Sequence, residues 1–156
     1  MEEIRATQIG STKPVHVCGK IYLAGQPSPD DLKEAQRQGA RTVVSLREKS
    51  ELNWDEAQSV QQLGMRYHHV PFKSPASLTD QVFDEVRRLL SDAEQQPVVL
   101  HCGSANRVGA VWIPFRVLDQ GATWEQALAE AKTIGLRMPE YEARAKAYVE
   151  ARQGGK

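Results

Sequence analysis

Cysteine is scarce: only Cys18 and Cys102 occur in 156 residues. That is too few for a disulfide framework or an all-cysteine zinc site, so each thiol has to be judged by its surroundings. An excess of one charge is missing as well, because 20 Lys and Arg balance 20 Asp and Glu. This removes the broad electrostatic footprint with which a domain holds nucleic acid or an anionic membrane surface, so no nucleic-acid partner is expected and any anion must be captured locally. No apolar run approaches the roughly 18 residues of a membrane span. The opening Met1-Glu2-Glu3-Ile4-Arg5 lacks the basic-then-apolar layout of a secretion signal, which favours the cytoplasm over export. Repeats, low-complexity stretches and long linkers are absent too. What remains, 40% hydrophobic and 26% charged residues, is the composition of a folded globular domain, long enough to bury a sizeable core without staples. Residues 1–156 read as a single domain, with 1–13 and 153–156 as frayed ends.

Short apolar runs alternate with helical patterns, which predicts an α/β layer architecture. Val15-His16-Val17-Cys18 and Ile21-Tyr22-Leu23-Ala24 pair across Gly19-Lys20 as a hairpin at one edge of a sheet. Ser28-Pro29-Asp30-Asp31 has a capping serine, proline at the first helical position and an acid three residues after the cap, and Gly39 stops the helix it opens. Thr42 to Leu46 is a buried strand. Asn53-Trp54-Asp55-Glu56 repeats the cap-then-acid pattern, and Arg66 to Phe72 is the next strand. Ser77 or Thr79 caps a helix whose Val82, Phe83, Val86, Leu89, Leu90 and Ala93 share one face. Val98-Val99-Leu100-His101 is a central strand, and residues 108–118 form a helix buried on most sides and bent near Pro114. Thr123 caps a further helix ending about Gly135, and a charged surface helix covers roughly 140–152.

The chemistry concentrates in His101-Cys102-Gly103-Ser104-Ala105-Asn106-Arg107, between a buried strand and a buried helix, where open α/β sheets place their ligands. Small residues from Gly103 to Asn106 let the backbone curl so that amide N–H groups point inwards, and the following helix adds the positive end of its dipole. A thiol at the base of such a cradle is expected to be a thiolate at neutral pH. Arg107 offers a planar fork for two anion oxygens.

These residues resemble the phosphate-binding loop of cysteine-dependent phosphatases of the protein tyrosine and dual-specificity superfamily. With Ala24-Gly25-Gln26-Pro27-Ser28-Pro29, Val43 to Arg47 and Gly64-Met65-Arg66-Tyr67, the chain is similar to the small bacterial phosphatase-like domains also found fused to beta-lactamase-like hydrolases. The resemblance covers roughly residues 20 to 150. It implies a mixed, mostly parallel central sheet flanked by helices, and hydrolysis of phosphate monoesters through a cysteinyl-phosphate. Carried over by position, Cys102 is the nucleophile, Gly103, Ser104, Ala105, Asn106 and Arg107 bind the phosphate, and the substrate is a phosphorylated protein or small molecule. No metal or cofactor is implied. His101 either tunes the thiolate from behind or is a hydrogen-bonded strand-end histidine.

Three features depart from the superfamily pattern. Four residues separate Cys102 from Arg107 where five are usual, a spacing that resembles the loop of rhodanese-type sulfurtransferases, so a persulfide carrier is an alternative. Val108 stands where a Ser or Thr often assists breakdown of the intermediate. The stretch Phe72-Lys73-Ser74-Pro75, where the general acid is expected, has no acid; Asp80 is the nearest downstream carboxylate, and Asp55 or Glu56 reaching in from another loop is the other option. Loss of the acid costs about 10² to 10⁴ in rate for a poor leaving group and much less for an aryl ester. A domain that kept the cradle without catalysis, binding anions only, is the third reading. Lys73 and Arg47 are candidates to line the anion pocket. His68 and His69, adjacent on a strand, point to opposite faces and do not readily share a metal. Cys18 is expected to be inert, and Trp54, Trp112 and Trp124 to pack in the core.

Overall fold

Six short strands form one mixed sheet in the computed structural model of the chain, which describes residues 2–154. They are β1 (Arg5–Ala6), β2 (Val15–Cys18), β3 (Ile21–Ala24), β4 (Thr42–Ser45), β5 (Arg66–His69) and β6 (Val98–His101), in the order β1-β2-β3-β6-β4-β5. The first three strands are antiparallel, and β3, β6, β4 and β5 run parallel. The hairpin turns at Gly19, whose φ of +58° suits a residue without Cβ. The central strand β6 is flanked in register by β3 and β4, Leu23 and Val44 both lying opposite Leu100. All four of its residues are buried, and Val98, Val99 and Leu100 are apolar, because helices cover both of its faces.

Those helices are α1 (Pro29–Arg37), α2 (Glu56–Gln62), α3 (Asp80–Ser91), α4 (Asn106–Pro114), α5 (Trp124–Ile134) and α6 (Pro139–Gly154). Alternation along the strands divides the core in two. Leu23, Val44, Val98 and Leu100 face the layer of α3 to α6, while Ala24, Val43 and Val99 face α1 and α2. The capping box of Ser28 with Asp31 forms as the sequence predicts, and Thr79 rather than Ser77 caps α3. Asp55 is the cap of α2. Among the described residues no helix is long and apolar enough to cross a membrane.

Helix α4 is apolar all round because it is enclosed by the sheet and by α3, α5 and α6. Gly109 makes its close approach to α5 possible: a Cβ there would stand 2.8 Å from Leu136 Cβ and 2.9 Å from the Ala131 carbonyl. Pro114 has no N–H to donate, and the chain continues past it as a wider π turn over Phe115–Asp119. In that turn the buried Arg116 bonds both oxygens of Glu130, at 2.8 and 3.1 Å, and donates to the Glu2 carbonyl.

The start of the chain departs from the expected fraying. β1 pairs with β2, Ile9 is buried, and Asp31 accepts hydrogen bonds from Ser11 N, Ser11 Oγ and Thr12 Oγ1. One buried carboxylate thus caps α1 and ties down the preceding loop, a long-range use of Asp31 that its capping pattern does not announce. At the other end α6 runs to Gly154, so Gln153 is helical. Met1, Gly155 and Lys156, also expected to fray, lie outside the described residues.

Candidate active site at the end of the central strand

The loops after β3, β4 and β6 meet at the carboxyl end of the parallel strands. Cys102 leaves β6 there with its amide on the Ala24 carbonyl at 3.3 Å, and its side chain lies at the bottom of the loop, 1% exposed. Ala105 takes a left-handed conformation, φ +69°, and stands at the N-cap of α4 without a side-chain cap. Among the described residues, none of the amides of Gly103, Ser104, Ala105, Asn106 or Arg107 donates to another protein group. A run of free N–H groups at the positive end of a helix is an anion cradle in both charge and geometry.

Two glycines brace the cradle. At Gly25 a Cβ would sit 2.2 Å from the Lys13 carbonyl oxygen and 3.0 Å from that of Gly103, so only glycine fits, and the next amide, of Gln26, donates to Gly103 O at 3.1 Å. On the opposite side Gly135 lies against Ser104 and Ala105, where a Cβ would come within 3.0 Å of backbone. Arg137 fastens the outer rim: its amide donates to Asn106 Oδ1 at 2.7 Å and its Nη2 to Ser104 Oγ at 2.9 Å.

Arg107, from the first turn of α4, is aimed by Glu51 from the loop after β4. Nη1 donates to Glu51 Oε2 at 2.9 Å and to the Phe72 carbonyl at 3.0 Å, and Nη2 donates to Glu51 Oε1 at 2.7 Å. Three of the five guanidinium protons are thereby used, and the Nε–Nη2 edge keeps two donors for a planar pair of anion oxygens. The Arg107 bonds, helped by the Glu48 amide and Arg47, hold the Glu51 carboxyl down at about 2, so it is ionised and cannot donate a proton at neutral pH. Arg47 Nε also reaches Glu51 Oε1 at 3.0 Å, and its Nη1 donates to Gln26 Oε1 at 3.1 Å, linking all three loops.

Behind the cradle, His101 and Glu56 form a pair sealed from solvent, Nε2 to Oε2 2.5 Å, with His101 Nδ1 3.3 Å from the Cys102 carbonyl. Glu56 comes from the start of α2. It therefore reaches the strand end from behind and not the face that a substrate would occupy. Its second oxygen has no protein partner and borders a separate cavity of about 140 Å³ that Trp54, Tyr67 and His69 also line.

The front of the site is a cleft of about 390 Å³ lined by Cys102, Arg107, Glu51, Lys73, Met138 and Tyr141, along with cradle residues. Lys73 thus stands where the sequence placed it, whereas Arg47 does not line this cleft and instead stands beside Gly103 and holds Glu51. Asp80 is not among the lining side chains. It is engaged by Arg144 at 2.6 Å and Arg152 at 3.8 Å on α6, and Arg144 holds it below the usual carboxylate range. The reason is topological: the first turn of α3 faces the outer side of α6. Asp55 is spent as the cap of α2, donor to nothing in the cleft. His68 and His69 bond separate groups, Gln95 Oε1 and the Arg47 carbonyl. Cys18 is buried and burial pushes its thiol up. Trp112 is in the core, and Trp54 and Trp124 pack at its margins.

Glu51, Gln26, Arg137 and Tyr141 escaped sequence reasoning. For Glu51 the usable signal was an acid four residues beyond Arg47, in the loop after a strand next to β6. Tyr141 carried none, since its approach depends on how α6 docks.

The sequence pattern of the family described as Beta-lactamase hydrolase-like protein, phosphatase-like domain, matches residues 16–120. No curated protein matches the chain. Among solved structures it is similar to Tk-PTP in its active form, with 23% identity, TM-score 0.74 and coverage of 85% of this chain and 92% of that one. A cysteine-to-serine form of P. aeruginosa TpbA in complex with pTyr shares 23% identity with TM-score 0.73, over 94% and 87% of the two chains. Kinase associated phosphatase, with its catalytic-site cysteine replaced by serine, shares 15% identity with TM-score 0.73, over 86% of each. These likenesses give the architecture of the protein tyrosine and dual-specificity phosphatases. With two thirds of its length matching the family pattern, the chain belongs to the phosphatase-like domains of the beta-lactamase hydrolase-like proteins.

Proposed function

We propose that the protein hydrolyses phosphate monoesters, phosphotyrosine and other aryl phosphates foremost, through a cysteinyl-phosphate on Cys102. The observation that carries this reading is the free Nε–Nη2 edge of Arg107 beside a ring of unpartnered amides, all arranged around one sulfur. Dianionic phosphoryl oxygens satisfy those donors at once, and charge that grows on them in the transition state meets dipoles already oriented. The Cys102 thiolate attacks phosphorus in line with the ester oxygen, which departs; water then attacks phosphorus and the sulfur leaves as thiolate. Glu51 keeps Arg107 in place without entering the reaction, and His101 holds the Cys102 carbonyl. An aryl leaving group fits because the one carboxylate in the cleft is ionised. The complex of TpbA with pTyr supports the same substrate class.

Release of phosphate from p-nitrophenyl phosphate, abolished in Cys102→Ser, is the expected result. Thiosulfate-to-cyanide sulfur transfer by the same thiol, without phosphate release, would replace the phosphatase reading by the persulfide one. Vanadate or sulfate binding without turnover of either substrate would leave an anion-binding domain.

A further inference from the structure

The cleft holds a nucleophile, an anion fork and no carboxylic acid, so the proton that a departing ester oxygen needs must come from elsewhere. Glu51 is ionised by Arg107, Asp80 is bound to Arg144, and the hydroxyl of Ser104 is drawn to the rim by Arg137. Lys73 is an exposed side chain on a loop. Tyr141 remains. It lines the cleft with Cys102 and Arg107, and its ring is fixed edge-on against Phe72, centroids 5.7 Å apart at 85°. The residue is 2% exposed, yet among the described residues its hydroxyl bonds no protein group. It is not one of the sealed orphan atoms either, which are His16 Nδ1 and Glu56 Oε1. The Tyr141 hydroxyl is therefore not fully sealed, and the cleft is the open space that this residue lines.

We infer that Tyr141 is the proton donor to the leaving oxygen, the place a carboxylic acid would otherwise take. The inference rests on the phosphatase reading and adds a catalytic residue to it. In the first step the sulfur–phosphorus bond forms, the phosphorus–oxygen ester bond breaks, and the Tyr141 proton passes to the ester oxygen. A tyrosinate remains near the Arg107 guanidinium. In the second step water attacks phosphorus, its proton returns to Tyr141, and the electron pair of the sulfur–phosphorus bond goes back to Cys102. Atoms and charge balance with water as the only co-reactant. Burial pushes the phenol up, with Arg107 opposing, so the proton is in place at neutral pH. A weak acid of this kind helps basic leaving groups most and activated ones little.

Tyr141→Phe removes a hydroxyl with no protein partner and should melt like the parent. With phenyl phosphate its kcat is expected to fall about 10²-fold, and with p-nitrophenyl phosphate by no more than about threefold, steepening the dependence of rate on leaving-group pKa. An equal loss on both esters, no loss on either, or transfer of the leaving-group effect to Lys73→Gln would overturn the role. In each of those outcomes Cys102-dependent hydrolysis by the parent protein would still stand. Absence of that hydrolysis would instead sink the phosphatase reading and this role together.

Discussion

His101 Nε2 meets Glu56 Oε2 at 2.5 Å, with the two side chains 0% and 1% exposed. His101 Nδ1 faces the Cys102 carbonyl, which only accepts, and Nε2 faces the Glu56 carboxyl, so both ring nitrogens are engaged. The pair thus fixes the imidazole and, through it, the first peptide of the cradle. Glu56→Ala strands a buried imidazole and is expected to cost about 3–5 kcal/mol. Glu56→Gln can still donate to Nε2, and the loss should be about 1–2 kcal/mol. Urea denaturation of the two variants measures the difference; equal losses would mean that the cavity behind Glu56 admits water to His101.

Much of this site was legible because its pieces are local. The hairpin needs only Gly19, α1 needs only its Ser28 and Asp31 box, and the loop from Cys102 to Arg107 announces itself by small residues between a strand and a helix. Its partners were hidden because they are chosen by strand order. Glu51 faces Arg107 only because β4 lies next to β6, the Leu46 amide bonding the His101 carbonyl at 3.0 Å. Glu56 was legible as a helix-start acid but not as a partner of His101. Tyr141, with Tyr148 and Val149, marks the apolar side of a largely charged helix, but nothing in that spacing says that its end meets the cleft.

Glu51 couples site geometry to acid stability. Its carboxyl ionises at about 2 in the folded protein against an ordinary 4.5. A depressed value means stabilisation that is complete above pH 4.5 and disappears as pH falls from there toward 2. The gap in denaturation midpoint between the parent and Glu51→Gln should therefore be widest near neutrality and close by about pH 2. The same variant loosens the Arg107 fork, and kcat/KM for an aryl phosphate should drop about 10- to 100-fold. A gap that persists unchanged to pH 2 would assign the stabilisation to groups other than this carboxylate.

Gly25 tests how far the cradle depends on its brace. A Cβ there meets two backbone oxygens, Lys13 O and Gly103 O, and neither can swing aside as a side-chain tip could. Gly25→Ala is expected to lose about 1–3 kcal/mol of stability. Vanadate affinity should fall about 10-fold or more as the Gly103 peptide shifts. Isothermal titration with vanadate reads the second effect in protein still folded at low temperature, and unchanged affinity would detach the Gly25 turn from the cradle.

Asp80 separates the geometry from the spacing argument. By its place in the chain it is the nearest carboxylate after the loop that ought to bear an acid. In the fold it is an exposed partner of Arg144, and it does not line the cleft. Its ion pair is exposed and worth about 0–1 kcal/mol. Asp80→Asn should therefore leave kcat for phenyl phosphate and p-nitrophenyl phosphate within about twofold of the parent, since a true general acid is worth about 10² or more with the poorer leaving group. A selective collapse with phenyl phosphate alone would mean that the loop before α3 swings Asp80 over the phosphate in the enzyme–substrate complex, breaking the Arg144 pair to do so.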